Sequence, residues 1–200
     1  MAQNLKRRHQ LLDTALKILS EKGFHGLTHR AVDKQASVPM GTTVNYFSNK
    51  KDLIVALAER IQERLDPQTN PRFTPTSATP GETMFSEYLL NLVQRLRTNR
   101  DVALSLFELR LEAARNPTVR EVLHKWRYQM YTADIDFNAQ QELPGDKETL
   151  LLFHFAIDGF MLDALTTPLV PDISDEWVVE QLTHRLLKET AYHLSKISSD

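Results

Sequence analysis

Residues 24–53 read FHGLTHRAVDKQASVPMGTTVNYFSNKKDL, and this stretch decides the fold. Thr28 stands where an N-cap belongs, ahead of HRAVDKQA, in which Ala31, Val32 and Ala36 fall on one side at helical spacing. SVPMG then breaks the pattern at Pro39 and Gly41, and TTVNYF is long enough for little more than one turn before SNKK. A short helix, a tight turn and a second short helix, packed on a preceding helix, form the helix-turn-helix arrangement. Its second helix enters a DNA major groove by its N-terminal residues.

The flanks supply the rest of a head. Upstream, Leu12, Ala15, Leu16 and Leu19 make one apolar stripe that Gly23 ends, with Phe24 and Leu27 following as plugs. Downstream, Ser48 or Asn49 caps KDLIVALAERIQERL, where Leu53, Leu57, Ile61 and Leu65 line one side of a fourth helix. This helix reads as the one rigid rod joining head to remainder. The text after it, DPQTNPRFTPTSATP, holds four of the nine prolines, more than an ordinary connection carries. It is expected to be a boundary or a mobile loop. Residues 1–65 are therefore expected as a helix-turn-helix DNA-binding domain and 66–200 as a helical regulatory and dimerisation domain. Amphipathic helices are expected over 82–98, 101–115, 118–139, 147–166 and 175–196, punctuated at Asn116-Pro117, Leu143-Pro144-Gly145 and Pro168 to Pro171. The class is all-α with about nine helices.

Charge agrees with that division. The formal net charge of -2 hides a head with 11 Lys+Arg against 6 Asp+Glu and a remainder with 13 against 20. A polyanion suits the first third and is repelled by the rest. No cysteine is present, which excludes disulfides, thiolate metal sites and cysteine nucleophiles. Asp13, Lys17 and Glu21 interrupt the first apolar stretch, so no export signal is expected. No run of about 20 apolar residues suggests a membrane partner. A cytoplasmic location is expected.

Chemistry picks out the contact residues. Thr28, His29 and Arg30 open the second helix, where backbone donors hold phosphate and Arg30 can reach a guanine edge. Thr42, Asn45 and Tyr46 offer polar groups to base edges or phosphates. Lys50, with Lys51, can clamp the DNA backbone beside the groove. Each also has a plainer role: Thr28 as a cap, Arg30 as solvated surface, Tyr46 as packing. The ordered string as a whole resembles the DNA-binding signature of the TetR family. That signature is a Thr-capped helix, an Ala-Gly-Val-Ser-type turn, a Gly-Thr start to the recognition helix, then Tyr-x-Tyr-Phe-x-x-Lys and a leucine. Thr28, Val32, Ala36, Val38, Gly41, Thr42, Tyr46, Phe47, Lys50 and Leu53 occupy its positions. The departures are Asp33 for alanine, Ser37 for the turn glycine, Pro39 for serine, and Val44 for the first aromatic. Val44 removes a phenol expected to touch phosphate, so that contact is either absent or replaced by apolar contact with a thymine methyl, and Asp33 either holds Arg30 or is exposed. Met40, Gly41 and Val44 complete the expected DNA-contacting set. The resemblance implies binding to double-stranded palindromic operator DNA as a homodimer and the action of a repressor released by a small-molecule effector, with no cofactor.

For the remainder the resemblance extends to helix count and order. It implies a ligand cavity among the middle helices, for which Tyr88, Phe107, Arg110, Trp126, Met130 and Phe160 are candidates, and a bundle with a partner subunit. Leu151, Phe155, Leu162, Val178, Leu182 and Leu186 are the candidates for that bundle; burial within one chain is the other reading. Arg110 is an anchor for an anionic group or an ordinary surface ion-pair partner of Glu108 and Glu112. Two other classes compete. One is a helical-bundle metal-dependent enzyme, suggested by His154 and Asp158 at i, i+4. It lacks a third ligand and any catalytic motif, so no catalytic or metal residue is expected. The other is a DNA-binding dimer without ligand sensing.

Overall fold

A first helix needs a cap, an apolar stripe and a stop, and α1 (Leu5–Gly26) has all three. Asn4 accepts the Arg7 amide hydrogen at 3.1 Å, and Leu11, Leu12, Ala15, Leu16, Ile18 and Leu19 are buried. At Gly23 the backbone leaves the helix (φ 67°, ψ -177°) and a last turn follows. The computed structural model describes residues 4–65 and 74–197, with side chains to 188. Among these residues there are nine α-helices and no strand.

Thr28 caps α2 (His29–Gln35) by accepting the Ala31 amide hydrogen at 3.1 Å. Ser37 (φ 54°) and Gly41 (φ 90°) turn the chain into α3 (Thr42–Tyr46). Helix α4 (Lys50–Leu65) buries Leu53, Leu57 and Ile61. Then come α5 (Glu82–Thr98), α6 (Arg100–Ala113), α7 (Pro117–Gln140), α8 (Lys147–Leu165) and α9 (Asp175–Ile197), close to the expected ranges.

The described residues fall into two compact units, residues 1–70 with 99–127 and residues 71–98 with 128–200. The expected boundary at 65/66 marks the end of α4, but the head's unit also takes in α6 and the start of α7. The reason is a shared core. Val102, Leu109, Val119 and Leu123 are buried in the cluster formed by Leu12, Leu16, Leu27, Leu53 and Leu57. Polar staples fix the arrangement. The Ser105 hydroxyl donates to the Leu16 carbonyl at 2.7 Å, and the Phe24 amide donates to Glu108 Oε1 at 2.8 Å. Arg64 donates to Asn99 Oδ1 at 3.0 Å. Helix α4 is therefore not the only rod tied to the head, and α6 lies against α1 within the same unit.

In the second unit α5 packs on α8 and α9, and α8 on α9. Asn138 closes the α7–α8 turn by donating to the Leu143 and Gly145 carbonyls, both at 3.1 Å. Asp146 caps α8 by accepting the Thr149 amide and hydroxyl hydrogens at 2.8 and 2.7 Å. No described helix is long and apolar enough to cross a membrane.

Candidate nucleic-acid interface

The outward face of the helix-turn-helix carries most of the expected residues. Thr28, Arg30, Met40, Val44 and Asn45 are exposed; His29, Gly41, Thr42 and Tyr46 are half-buried. Among the described residues Arg30 makes no ion pair, so its guanidinium is available to a ligand. His29 is committed inward, with Nε2 at 2.7 Å from the Phe47 carbonyl, tying α2 to the end of α3. Tyr46 lies half-buried beside Phe47, and the Arg8 guanidinium lies over the Phe47 ring at 5.6 Å. Arg8, Asn45, Tyr46, Asp52 and Glu59 share the lining of a shallow open cleft beside α3.

The two lysines also make contacts within the chain. The Lys50 ammonium sits 3.8 Å from the centre of the Phe24 ring. Burial pushes this group below the usual lysine range, and the nearby Glu112 carboxylate works the other way. Lys51 pairs with Glu121 at 3.1 Å. Both side chains hold the start of α4 to the end of α1, α6 and α7.

Asp33 is the residue that sequence reasoning misplaced. It is 1% exposed and meets neither solvent nor Arg30. Its Oδ2 accepts the Gly41 amide hydrogen at 2.7 Å, and its Oδ1 accepts both the Thr43 amide at 2.7 Å and the Thr43 hydroxyl at 2.5 Å. Gly41 has no side chain to cap α3, so Asp33 does this from α2 by taking the Thr43 amide, and it bonds the N-cap amide as well. Burial raises its pKa, but the Thr43 hydroxyl and the two amides more than offset this and hold it below the usual carboxylate range. The signal in the sequence was there: an acid at a position of small apolar residues, eight before a glycine with no cap of its own.

Two family models match the chain. Residues 11–57 match that of bacterial regulatory proteins of the tetR family, and residues 80–189, more than half of the chain, match the tetracyclin repressor-like C-terminal domain. The chain belongs to the TetR family. Among curated relatives, the HTH-type transcriptional repressor KstR of Mycolicibacterium smegmatis is 38% identical over 65 residues, 32% of either chain. The fatty acid metabolism regulator protein of Bacillus subtilis is 35% identical over 57 residues, 28% of this chain and 29% of that one. These matches thus span about a third of the relatives' length. Solved structures match almost throughout. A TetR-family member from Streptomyces coelicolor A3 has a TM-score of 0.68 at 28% identity, covering 91% of this chain and 98% of that one. The multidrug binding protein EbrR complexed with ethidium has a TM-score of 0.65 at 26% identity, covering 90% and 98%.

In this TetR-family chain the six ligand candidates are all half-buried, but they divide between the units. Phe107, Arg110 and Trp126 belong to the first, where Arg110 lies over the Phe107 ring at 5.8 Å and Trp126 packs against the head's core. Tyr88, Met130 and Phe160 belong to the second. There Tyr88 meets Phe137 edge-on at 5.0 Å, Phe85 meets Phe153 at 4.8 Å, and Arg97 lies over Phe160 at 5.8 Å while binding Asp175. Glu108 takes the Phe24 amide and Glu112 pairs with Arg115 at 3.4 Å. His154 pairs with Asp134 at 3.0 Å, and no metal-binding group of three acids or histidines occurs among the described residues.

The α8 candidates all lie outward. Leu150, Phe153, Ile157, Met161 and Leu165 are buried within the chain, whereas Leu151, Phe155 and Leu162 form an exposed stripe at steps of four and seven. Val178, Leu182 and Leu186 of α9 are half-buried. Exposed Leu152 and Trp177 were not anticipated.

Proposed function

We propose that this chain is a sequence-specific repressor that binds a palindromic operator as a homodimer and releases it when a small molecule binds the second unit. The observation that carries this reading is the outward face of α2 and α3: exposed Arg30, Met40, Val44 and Asn45 on a capped, internally hydrogen-bonded helix-turn-helix. Arg30 and Asn45 are assigned to base edges, Val44 and Met40 to thymine methyls, and Thr28 to phosphate. One five-residue recognition helix covers too few base pairs alone, so two must sit about 34 Å apart in successive grooves. The exposed α8 stripe supports pairing of subunits through Leu151, Phe155 and Leu162, with α9 beside it. Such a protein acts in the cytoplasm.

The effector is assigned to the aromatic groups of the second unit, Tyr88, Phe137, Phe85 and Phe153. EbrR, with which the chain shares its fold at 26% identity, has been crystallised with ethidium, which makes a planar aromatic cation the first probe. Enrichment from a pool of random duplexes tests the DNA reading: a palindrome emerges, or the reading is wrong. Ethidium and a compound library are then screened by melting shift, and each binder is titrated with and without the enriched duplex. Linkage requires equal and opposite effects on the two affinities. Binding that ignores the duplex leaves the second reading, a dimeric DNA-binding regulator without ligand control.

A further inference from the structure

We infer that Asp33 is a positioning residue for base reading: it sets the pose of α3 and with it the preference for one sequence, while leaving phosphate binding unchanged. The inference rests on the DNA-binding reading above. Helix α3 has five residues, too few to hold a helical conformation alone, and its N-cap glycine makes no side-chain hydrogen bond. What fixes it is a carboxylate on the neighbouring helix, buried and gripping Gly41 and Thr43 through three short hydrogen bonds. The grip turns Thr43 fully inward, and Val44 and Asn45 stand outward beside it.

A second consequence follows from the same bonds. Amides at a helix start commonly hold phosphate. Here those of Gly41 and Thr43 are already taken, so α3 meets DNA through side chains, and phosphate is left to Thr28 and the backbone at the start of α2. Loss of the Asp33 grip should then disturb what is read and not how the backbone is held. A residue serving stability alone would lower the melting temperature and leave discrimination intact in whatever remains folded.

The test uses the full chain and two probes: the duplex enriched by the wild type from a random pool, and a mixed-sequence duplex of the same length. Asp33→Asn keeps the shape but turns an NH2 group toward one of the amide donors. Its preference for the enriched duplex should fall by about tenfold or more, the size of a lost charge-assisted hydrogen bond. Affinity for the mixed duplex and its salt slope should stay at wild-type values. Thr43→Val, which keeps both amide bonds and loses the hydroxyl, should fall partway, and Thr43→Ser should match the wild type. A lower melting temperature with an intact preference ratio overturns the proposal, as does equal loss on both duplexes. If Asp33→Asn does not fold, the threonine pair decides, and equal ratios for Val and Ser overturn it. A wild type that enriches no sequence removes the DNA reading itself, and this inference with it.

Discussion

The two units of the chain solve opposite problems. The first holds 17 Lys+Arg against 11 Asp+Glu, the second 7 against 15. In the first, side chains from elsewhere in the same unit hold the backbone: Asp33 on the α2–α3 turn, Glu108 on the α1 kink, Ser105 on the Leu16 carbonyl within α1. In the second, α8 buries one apolar face and leaves another, Leu151, Phe155 and Leu162, in solvent. An exposed apolar stripe of this kind is a surface another molecule can cover, and under the proposed palindromic operator a second copy is the occupant to test.

The harshest way to break the comparison is to charge the open stripe. Phe155 is 58% exposed, so Phe155→Asp should leave the monomer folded and abolish pairing. Operator affinity should drop toward the non-specific level, a loss of about 10³-fold or more. Sedimentation and gel shift read the two effects. A dimer that survives with full affinity would place the interface elsewhere.

Next in size are the base-reading residues. Arg30→Ala and Asn45→Ala should each cost about 1–3 kcal/mol on the enriched duplex and relax preference at one position. Lys50→Ala separates two roles. As a phosphate clamp it flattens the salt slope by about one on every duplex. As a support between Phe24 and Glu112, where its ammonium lies, it lowers the melting temperature and leaves the slope alone. The second outcome is expected.

The kink of α1 ranks third. At φ 67° and ψ -177° Gly23 occupies a conformation other residues rarely adopt, and a Cβ there would stand 2.9 Å from Glu108 Oε1. Gly23→Ala should destabilise by about 1–2 kcal/mol in denaturant titration, since it strains the backbone and pushes the carboxylate off the Phe24 amide. Glu108→Gln, which keeps an acceptor, should cost less. Equal costs would mean that the carboxylate, and not the backbone strain at the kink, carries the loss.

What could be read in the sequence follows the range of the forces involved. Thr28, Pro39, Gly41 and the leucine stripes act over one or two turns, and the helices they predict are present within a few residues. The head's true extent depended on Ser105 meeting Leu16, 89 residues away, which no periodicity reports. Asp33 shows the intermediate case. Its burial is decided ten residues on by an amide and a hydroxyl of Thr43, so the i+3 arithmetic with Arg30 looked in the wrong direction. Residue type and helical spacing on the middle helices do not say which unit a side chain joins, and the structure divides the ligand candidates between units.

The smallest effect concerns Ser37, where the family signature has glycine. The backbone there is left-handed, with φ 54°, which explains the family's glycine and makes serine the costlier occupant. That conformation costs an L-residue about 1–2 kcal/mol, while glycine's freedom in the unfolded chain returns about 0.5–1 kcal/mol. Ser37→Gly should therefore stabilise the protein by roughly 0.5 kcal/mol, a rise of about 1–2 °C in melting temperature for a chain of this size. The Ser37 side chain makes no hydrogen bond among the described residues, and the three bonds of Asp33 do not involve it. Preference for the enriched duplex should accordingly stay unchanged. The pair then sharpens the contrast within a single turn: Ser37→Gly should move stability and not sequence preference, and Asp33→Asn should move sequence preference most. A change of preference in Ser37→Gly would show that α3 is posed by the whole turn and not by the carboxylate.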